Sequence, residues 1–244
     1  MRPPISVRLF AFALGSLIAA PAIAGVFSVT PVRIFMSPRD RATAITVTNE
    51  GDDELVMQAD VYTWHQKPSG EDDLALSEDL ILSPPILKLA PHSRQVVRLA
   101  RVGAPSNDQQ LTYRMIVREV PEAGKGKSND VRLQVALAFS LPVFITPTGL
   151  KRKLDCEAQR AAADSVSVTC DNTGAVYVQP RELTLSAAGG KRLASKDSAV
   201  YILPGMKRTY ELRDTEGAIP AGALKLALTF DDGSSQEYEL KLAE

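Results

Sequence analysis

The stretch from Asn129 to Pro147 carries the strongest pattern in the chain. Apolar side chains stand at every odd position from Val131 to Val143, while the even positions hold Arg132, Gln134, Ala136, Ala138, Ser140 and Pro142. A strict period of two predicts one long extended strand. Its apolar face is a ladder with side chains roughly 7 Å apart, and it outruns a typical strand of about five or six residues. A face that long either fills the chain's own core or is offered to another molecule.

Alternation recurs upstream. Val26–Phe35, Ala44–Asn49, Leu55–Trp64, Ile86–Leu89, Gln95–Val102 and Thr112–Pro121 read as strands. Turn material such as Ser37-Pro38-Arg39-Asp40, Asn49-Glu50-Gly51-Asp52 and Pro91-His92-Ser93 separates them. With the ladder this makes seven strands in about 120 residues, the count of an immunoglobulin-like sandwich. A second cluster follows Thr148-Gly149, with strands near Lys151–Glu157, Ser165–Asp171, Val176–Ser186, Ala199–Leu203, Lys207–Glu211, Ala223–Phe230 and Gln236–Leu242. No helix longer than a turn is predicted. The expected fold class is all-β, with two sandwiches joined near Pro147 and neither internal repeats nor low-complexity segments.

The first residues change this picture. Arg2 and Arg8 flank a basic start, Leu9 to Ala20 form an apolar run, and Ala22-Ile23-Ala24 is a small-x-small cleavage signal. That is the pattern of a secretory signal peptide over 1–24, too short for a membrane span. The mature chain then starts at Gly25, and no later run approaches the roughly 18 apolar residues that a span needs, so no membrane insertion is expected. No attachment cysteine follows the apolar run.

Charge and chemistry add little. The formal net charge is −1 with charges interspersed, which gives no reason to expect a nucleic acid partner. Cys156 and Cys170 are an even pair in an exported chain and read as one disulfide stapling two neighbouring strands across the turn around Ala161–Asp164. The two histidines, His65 and His92, sit in polar settings by turns, and no converging ligand spacing points to a metal. Gly189-Gly190-Lys191 lacks the rest of a phosphate loop, and no nucleophile elbow is present. Glu71-Asp72-Asp73 reads as a solvated turn. No enzyme activity and no cofactor are expected.

A family resemblance emerges from the motifs together: an export signal, an opening Val29-Thr30-Pro31-Val32-Arg33 segment, the run Tyr113-Arg114-Met115-Ile116-Val117-Arg118-Glu119-Val120-Pro121, and then the long ladder. The chain resembles the periplasmic pilus-assembly chaperones of chaperone–usher systems. The resemblance covers the first sandwich well and the second only in length, rhythm and position. It implies two immunoglobulin-like domains arranged in an L shape, 25–147 and 148–244, with a cleft that holds a pilus subunit. It further implies a periplasmic location, and pilus subunits and an outer-membrane usher as partners.

The implied mechanism is donor-strand complementation, in which the chaperone lends a strand to a subunit that lacks one. The matching donors are Leu133, Val135 and Leu137, with Val131, Phe139 and Leu141 as extensions, while Leu141–Phe144 packs inside the chaperone. Burying one such side chain contributes about 1.5–3 kcal/mol. The resemblance also implies a basic anchor for the subunit's C-terminal carboxylate, with Arg33 matching the first-strand arginine. Where the better-known members carry a lysine late in the ladder, this chain has Pro142, which offers neither charge nor N–H. Arg98 and Arg101 are the expected substitutes, only one of which strand alternation places on a given face. Arg118 is expected to pair with a carboxylate near the domain junction.

Ser140-Leu141-Pro142-Val143-Phe144 is similar to the divergent archaic branch of the family. An exposed apolar ladder invites aggregation, and the family implies self-capping through a dimer or by the loop Glu122–Asn129. The competing reading is a structural or adhesive periplasmic sandwich whose ladder is wholly internal. An exported hydrolase on a β scaffold is a distant third, disfavoured by the missing motifs.

Overall fold

The computed structural model describes residues 27–104, 106–120 and 136–243. Ten strands build the first half: β1 (Phe27–Thr30), β2 (Ile34–Met36), β3 (Ala42–Asn49), β4 (Leu55–Gln66), β5 (Asp72–Leu76), β6 (Leu80–Ser83), β7 (Ile86–Leu89), β8 (Arg94–Arg101), β9 (Leu111–Glu119) and β10 (Ala138–Ile145). One sheet runs β1-β3-β8-β6 and the other β2-β10-β9-β4-β5, with β7 also paired to β4. Ile45, Val47, Met57, Leu87, Val97, Leu99, Met115 and Val143 close the core between the sheets at zero exposure.

The second half holds β11 (Leu154–Ala162), β12 (Ser165–Asn172), β13 (Pro180–Ala187), β14 (Arg192–Asp197), β15 (Lys207–Arg213), β16 (Gly222–Phe230) and β17 (Ser235–Leu242). They form sheets β11-β12-β15 and β14-β13-β16-β17 around a core that includes Val166, Val168, Leu183, Leu226 and Leu228. Among the described residues there is no helix. Cys156 and Cys170 stand directly opposite each other on β11 and β12 and form the disulfide, with Cα atoms 4.1 Å apart. The sulfur of Cys170 thereby joins the second core.

Several predicted elements differ. The single strand expected over Val26–Phe35 is two, because the chain leaves one sheet after Thr30 and enters the other at Ile34. The crossing runs through Pro31, whose missing N–H cannot serve a central ladder. Strands β5, β6 and β14 were not expected. Every residue of β5 is exposed, so Asp72 and Asp73 belong to an edge strand with no apolar alternation to reveal it. Ala199–Leu203 forms only a lone bridge, Val178 to Ile202.

The burial phase marks where the halves meet. Along β4, Leu55, Met57, Ala59 and Val61 are buried on the core side, and then the phase flips so that Trp64 and Gln66 are buried on the opposite face. Along β10 the even residues Pro142 and Phe144 are buried as well as Leu141, Val143 and Ile145. A strand covered on both faces has a second body against it. Here that body is the second sandwich, which packs Leu203, Tyr177 and Tyr201 onto Trp64 and Phe144.

Candidate functional site

The junction between the sandwiches combines apolar stacking with a few buried hydrogen bonds. The Phe144 ring lies 4.1 Å from Tyr177 at 18° and 5.7 Å from Phe35, while Trp64 meets Tyr201 edge-on at 5.2 Å. Gln66, 8% exposed, behaves as a strand substitute: its Nε2 donates to the Tyr201 carbonyl at 3.0 Å and its Oε1 accepts from the Leu203 amide at 3.1 Å. Gln110 does the same with the Tyr177 amide at 2.9 Å and the Thr146 hydroxyl at 2.7 Å. Arg208 donates to the Gly70 carbonyl at 2.6 Å, and Gly70 has φ +87, a left-handed backbone that favours glycine.

Beside this junction opens a cleft of roughly 780 Å³, lined among others by Arg33, Phe35, Gln110, Arg152, Tyr177 and Asp231. Arg33 sits in the crossing between β1 and β2. Its Nη1 donates to Asp231 Oδ2 at 2.5 Å, and the Tyr177 hydroxyl donates to the same oxygen at 3.0 Å. Burial opposes the charge on Arg33, yet Tyr201 and Asp231 around it more than offset that, and its pKa is raised. Burial also pushes Tyr177 and Tyr201 above the ordinary phenol value. Asp232 pairs with Arg152 instead, and the hydroxyl and amide of Ser234 together with that arginine hold its carboxyl at about 2.

The expected second cations are not brought to this cleft. Arg98 is exposed on β8, in the sheet that Arg33's cleft does not touch. The Arg101 guanidinium is spent on the backbone, donating to the Gly103 and Pro38 carbonyls at 2.9 and 2.7 Å. Arg118 pairs with Asp60 at 2.6 Å. Sequence reasoning missed Arg114, which stands directly opposite Pro142 across β9 and β10. Its guanidinium lies 3.7 Å from the Trp64 ring centroid and 5.5 Å from that of Tyr201, while Arg33 lies 5.9 Å from the same tyrosine. Burial lowers the Arg114 pKa, with Asp72 at 3.3 Å opposing the shift.

Only part of the ladder falls within the described residues. Val131, Leu133 and Val135 lie outside the described residues. Leu137 packs against the first core, and its carbonyl accepts from the Glu119 amide at 2.9 Å. Phe139 is 40% exposed and sets its ring edge-on to Phe27 at 4.8 Å. Leu141 and Val143 enter the core as expected. The other edge of β10 matters more: β2 pairs with it only from Val143 to Ile145, so Ala138 to Pro142 have β9 on one side and no strand on the other among the described residues. Because Leu137 bonds to β9, antiparallel alternation turns the backbone groups of Ala138, Ser140 and Pro142 toward that open edge. A proline is tolerated at such a place and not inside a sheet.

The chain is 30% identical over 124 residues to the uncharacterised fimbrial chaperone YbgP of Escherichia coli, spanning 50% of this chain and about half (49%) of that relative. It is 25% identical over 232 residues to the chaperone protein LpfB of Salmonella typhimurium, covering 93% and 87% of the two chains. Among solved structures it resembles the CsuC–CsuE chaperone–tip adhesion subunit pre-assembly complex of the archaic chaperone–usher Csu pili of Acinetobacter baumannii, with TM-score 0.63, 19% identity and coverage of 90% of this chain and 100% of that one. The Escherichia coli chaperone DraB matches with TM-score 0.57 at 21% identity, over 89% of this chain and 96% of that one. These two likenesses establish the shared two-domain fold. Residues 26–151, just over half of the chain, match the family described as pili and flagellar-assembly chaperone, PapD N-terminal domain, and the chain belongs to that family.

Proposed function

We propose that this protein is a periplasmic chaperone that binds and caps pilus subunits by donor-strand complementation and hands them to an outer-membrane usher. The observation that carries this reading is the open edge of β10 from Ala138 to Pro142, beside a cleft that holds a fixed arginine. A strand with unpaired backbone groups takes a second strand readily. Upstream of Leu137, which packs against the chaperone's own core, the sequence continues the alternation through Val135, Leu133 and Val131, which supplies side chains for a subunit's groove. The two-domain fold shared with the chaperone of the Csu complex is consistent with this reading. The export signal over 1–24 and the division of the mature chain at Pro147 belong to the same proposal.

The subunit's C-terminal carboxylate is assigned to Arg33, with Arg114 as the second cation. Arg114 occupies the cross-strand neighbour of Pro142, so the charge missing from β10 is supplied by β9 at the same level of the sheet. Arg98 and Arg101 lie away from it. The test is Leu133→Asp or Val135→Asp in the full-length chain, co-expressed with a small exported subunit from the same gene cluster. Subunit recovery from the periplasm should vanish while the thermal midpoint of the isolated chaperone stays within a degree or two. A collapse of that midpoint would assign these residues to the core and favour a structural sandwich.

A further inference from the structure

The anchor arginine is already occupied. Arg33 and Asp231 form an ion pair whose side chains are 25% and 10% exposed, one from each sandwich. A neutralised guanidinium offers an incoming carboxylate little net attraction. We infer that Asp231 is a built-in placeholder for the subunit's C-terminal carboxylate, released from Arg33 when that carboxylate arrives. The inference rests on reading Arg33 as the anchor.

Three features fit an exchange better than a permanent strut. Oδ2 of Asp231 also accepts the Tyr177 hydroxyl at 3.0 Å, so the displaced carboxylate keeps a hydrogen-bond partner and is not left orphaned in a half-buried site. The Asp231 backbone is fixed where it stands: its amide donates to the Gln179 carbonyl at 3.1 Å, and the turn closes through Phe230 to Ser234 at 2.9 Å and Gly233 to Phe230 at 3.0 Å. The carboxylate therefore cannot follow Arg33 if the guanidinium turns toward a ligand. Finally, the sandwiches do not depend on this pair for their union, because Gln66, Gln110 and the Phe144 stack join them independently.

The exchange also has a physical use. An uncompensated guanidinium in a half-buried cleft is costly, and a resident carboxylate removes that cost while the chaperone is empty. Carboxylate replaces carboxylate on Arg33, so the guanidinium is paired both before and after capture, while the displaced Asp231 carboxylate stays in the cleft on the Tyr177 hydroxyl. A strand lacking a free C-terminal carboxylate gains nothing from the exchange, which makes the placeholder a filter for true chain ends.

The experiment titrates full-length chaperone with a synthetic peptide of a subunit's C-terminal strand, once with a free carboxylate and once amidated, by fluorescence anisotropy. Asp231→Asn and Asp231→Ala should each tighten the free-carboxylate peptide about tenfold and leave the amidated peptide unchanged, as removal of a competing charge-assisted bond requires. Glu54→Gln, the same charge change at the far end of β4's sandwich beside Lys88, should alter neither. Unchanged or weakened binding in both Asp231 variants overturns the placeholder, as does equal tightening of both peptides. If Arg33→Ala binds the free-carboxylate peptide as wild type does, the anchor reading itself fails. Loss of binding in Arg33→Ala with silent Asp231 variants removes only the placeholder.

Discussion

Phe144→Ala separates the union of the sandwiches from the stability of each. Phe144 is fully buried but belongs to neither sandwich core. Its ring stacks on Tyr177 at 4.1 Å and on Phe35 at 5.7 Å, with Tyr201 and Trp64 at 5.9 and 6.0 Å. Truncating a buried phenylalanine costs about 3–5 kcal/mol through lost transfer and the cavity left behind. Aromatic pairing adds about 0.5–1.5 kcal/mol per good pair beyond area, so the upper half of that range is expected. Almost all of the loss falls on the junction, because the neighbours losing contact are Tyr177, Tyr201, Trp64 and Phe35. Trp64 is the only tryptophan in the chain and sits inside this cluster, which makes its fluorescence a local reporter. In guanidinium the wild-type fluorescence and far-ultraviolet circular dichroism transitions should coincide, as one cooperative unit requires. In the variant the fluorescence transition should move to lower denaturant by the equivalent of about 3 kcal/mol or more and precede the loss of β signal. Coincident transitions shifted by less than about 1 kcal/mol would refute the claim that this stack holds the halves together.

Two further outcomes follow from the second half and from the tyrosines. Replacing Cys156 and Cys170 by serine opens a link across 14 residues of sequence, and the chain-entropy model gives a loss of about 3 kcal/mol; a loss below about 1 kcal/mol in urea unfolding would contradict it. Burial raises the pKa of Tyr113 and Tyr238 to about 12 and also lifts Tyr177 and Tyr201. Raised phenols favour the neutral folded form, so their contribution is intact below pH about 10, where unfolded tyrosines ionise, and is lost as the pH rises toward 12. Tyrosinate absorbance should therefore appear together with alkaline unfolding, and ionisation of these four near pH 10 in a still-folded chain would contradict the burial argument.

Alternation made most of the strands legible because each sandwich buries one face of each sheet. It failed where that condition fails. Strand β5 buries no face, so Asp72-Asp73-Leu74-Ala75-Leu76 carried no signal beyond its acidity. The junction was hidden for the opposite reason: Trp64, Pro142 and Phe144 break the phase because a second body covers them, and a broken phase in one sequence reads as noise. Arg33 was readable from its motif, but its partner Asp231 is 198 residues away in what reads as an ordinary turn. Arg114 could have been found once the ladder was paired with the Tyr113–Pro121 segment, since antiparallel register sets it against Pro142. Arg98 and Arg101 were chosen by strand phase alone, which says which face a side chain takes but not which sheet holds the strand.

The central claim is that the free edge of β10 is completed by a strand from a pilus subunit. Residue-resolved amide hydrogen exchange of the chaperone, alone and in complex with a co-expressed subunit, tests it directly. The amides of Ala138 and Ser140 face the open edge and should exchange quickly in the free protein, whereas those of Phe139 and Leu141 are already spent on β9. In the complex, Ala138 and Ser140 should become protected by two or more orders of magnitude while Phe139 and Leu141 hardly change. If Ala138 and Ser140 exchange as fast in the complex as in the free chaperone, no strand has been added at this edge and the account is wrong.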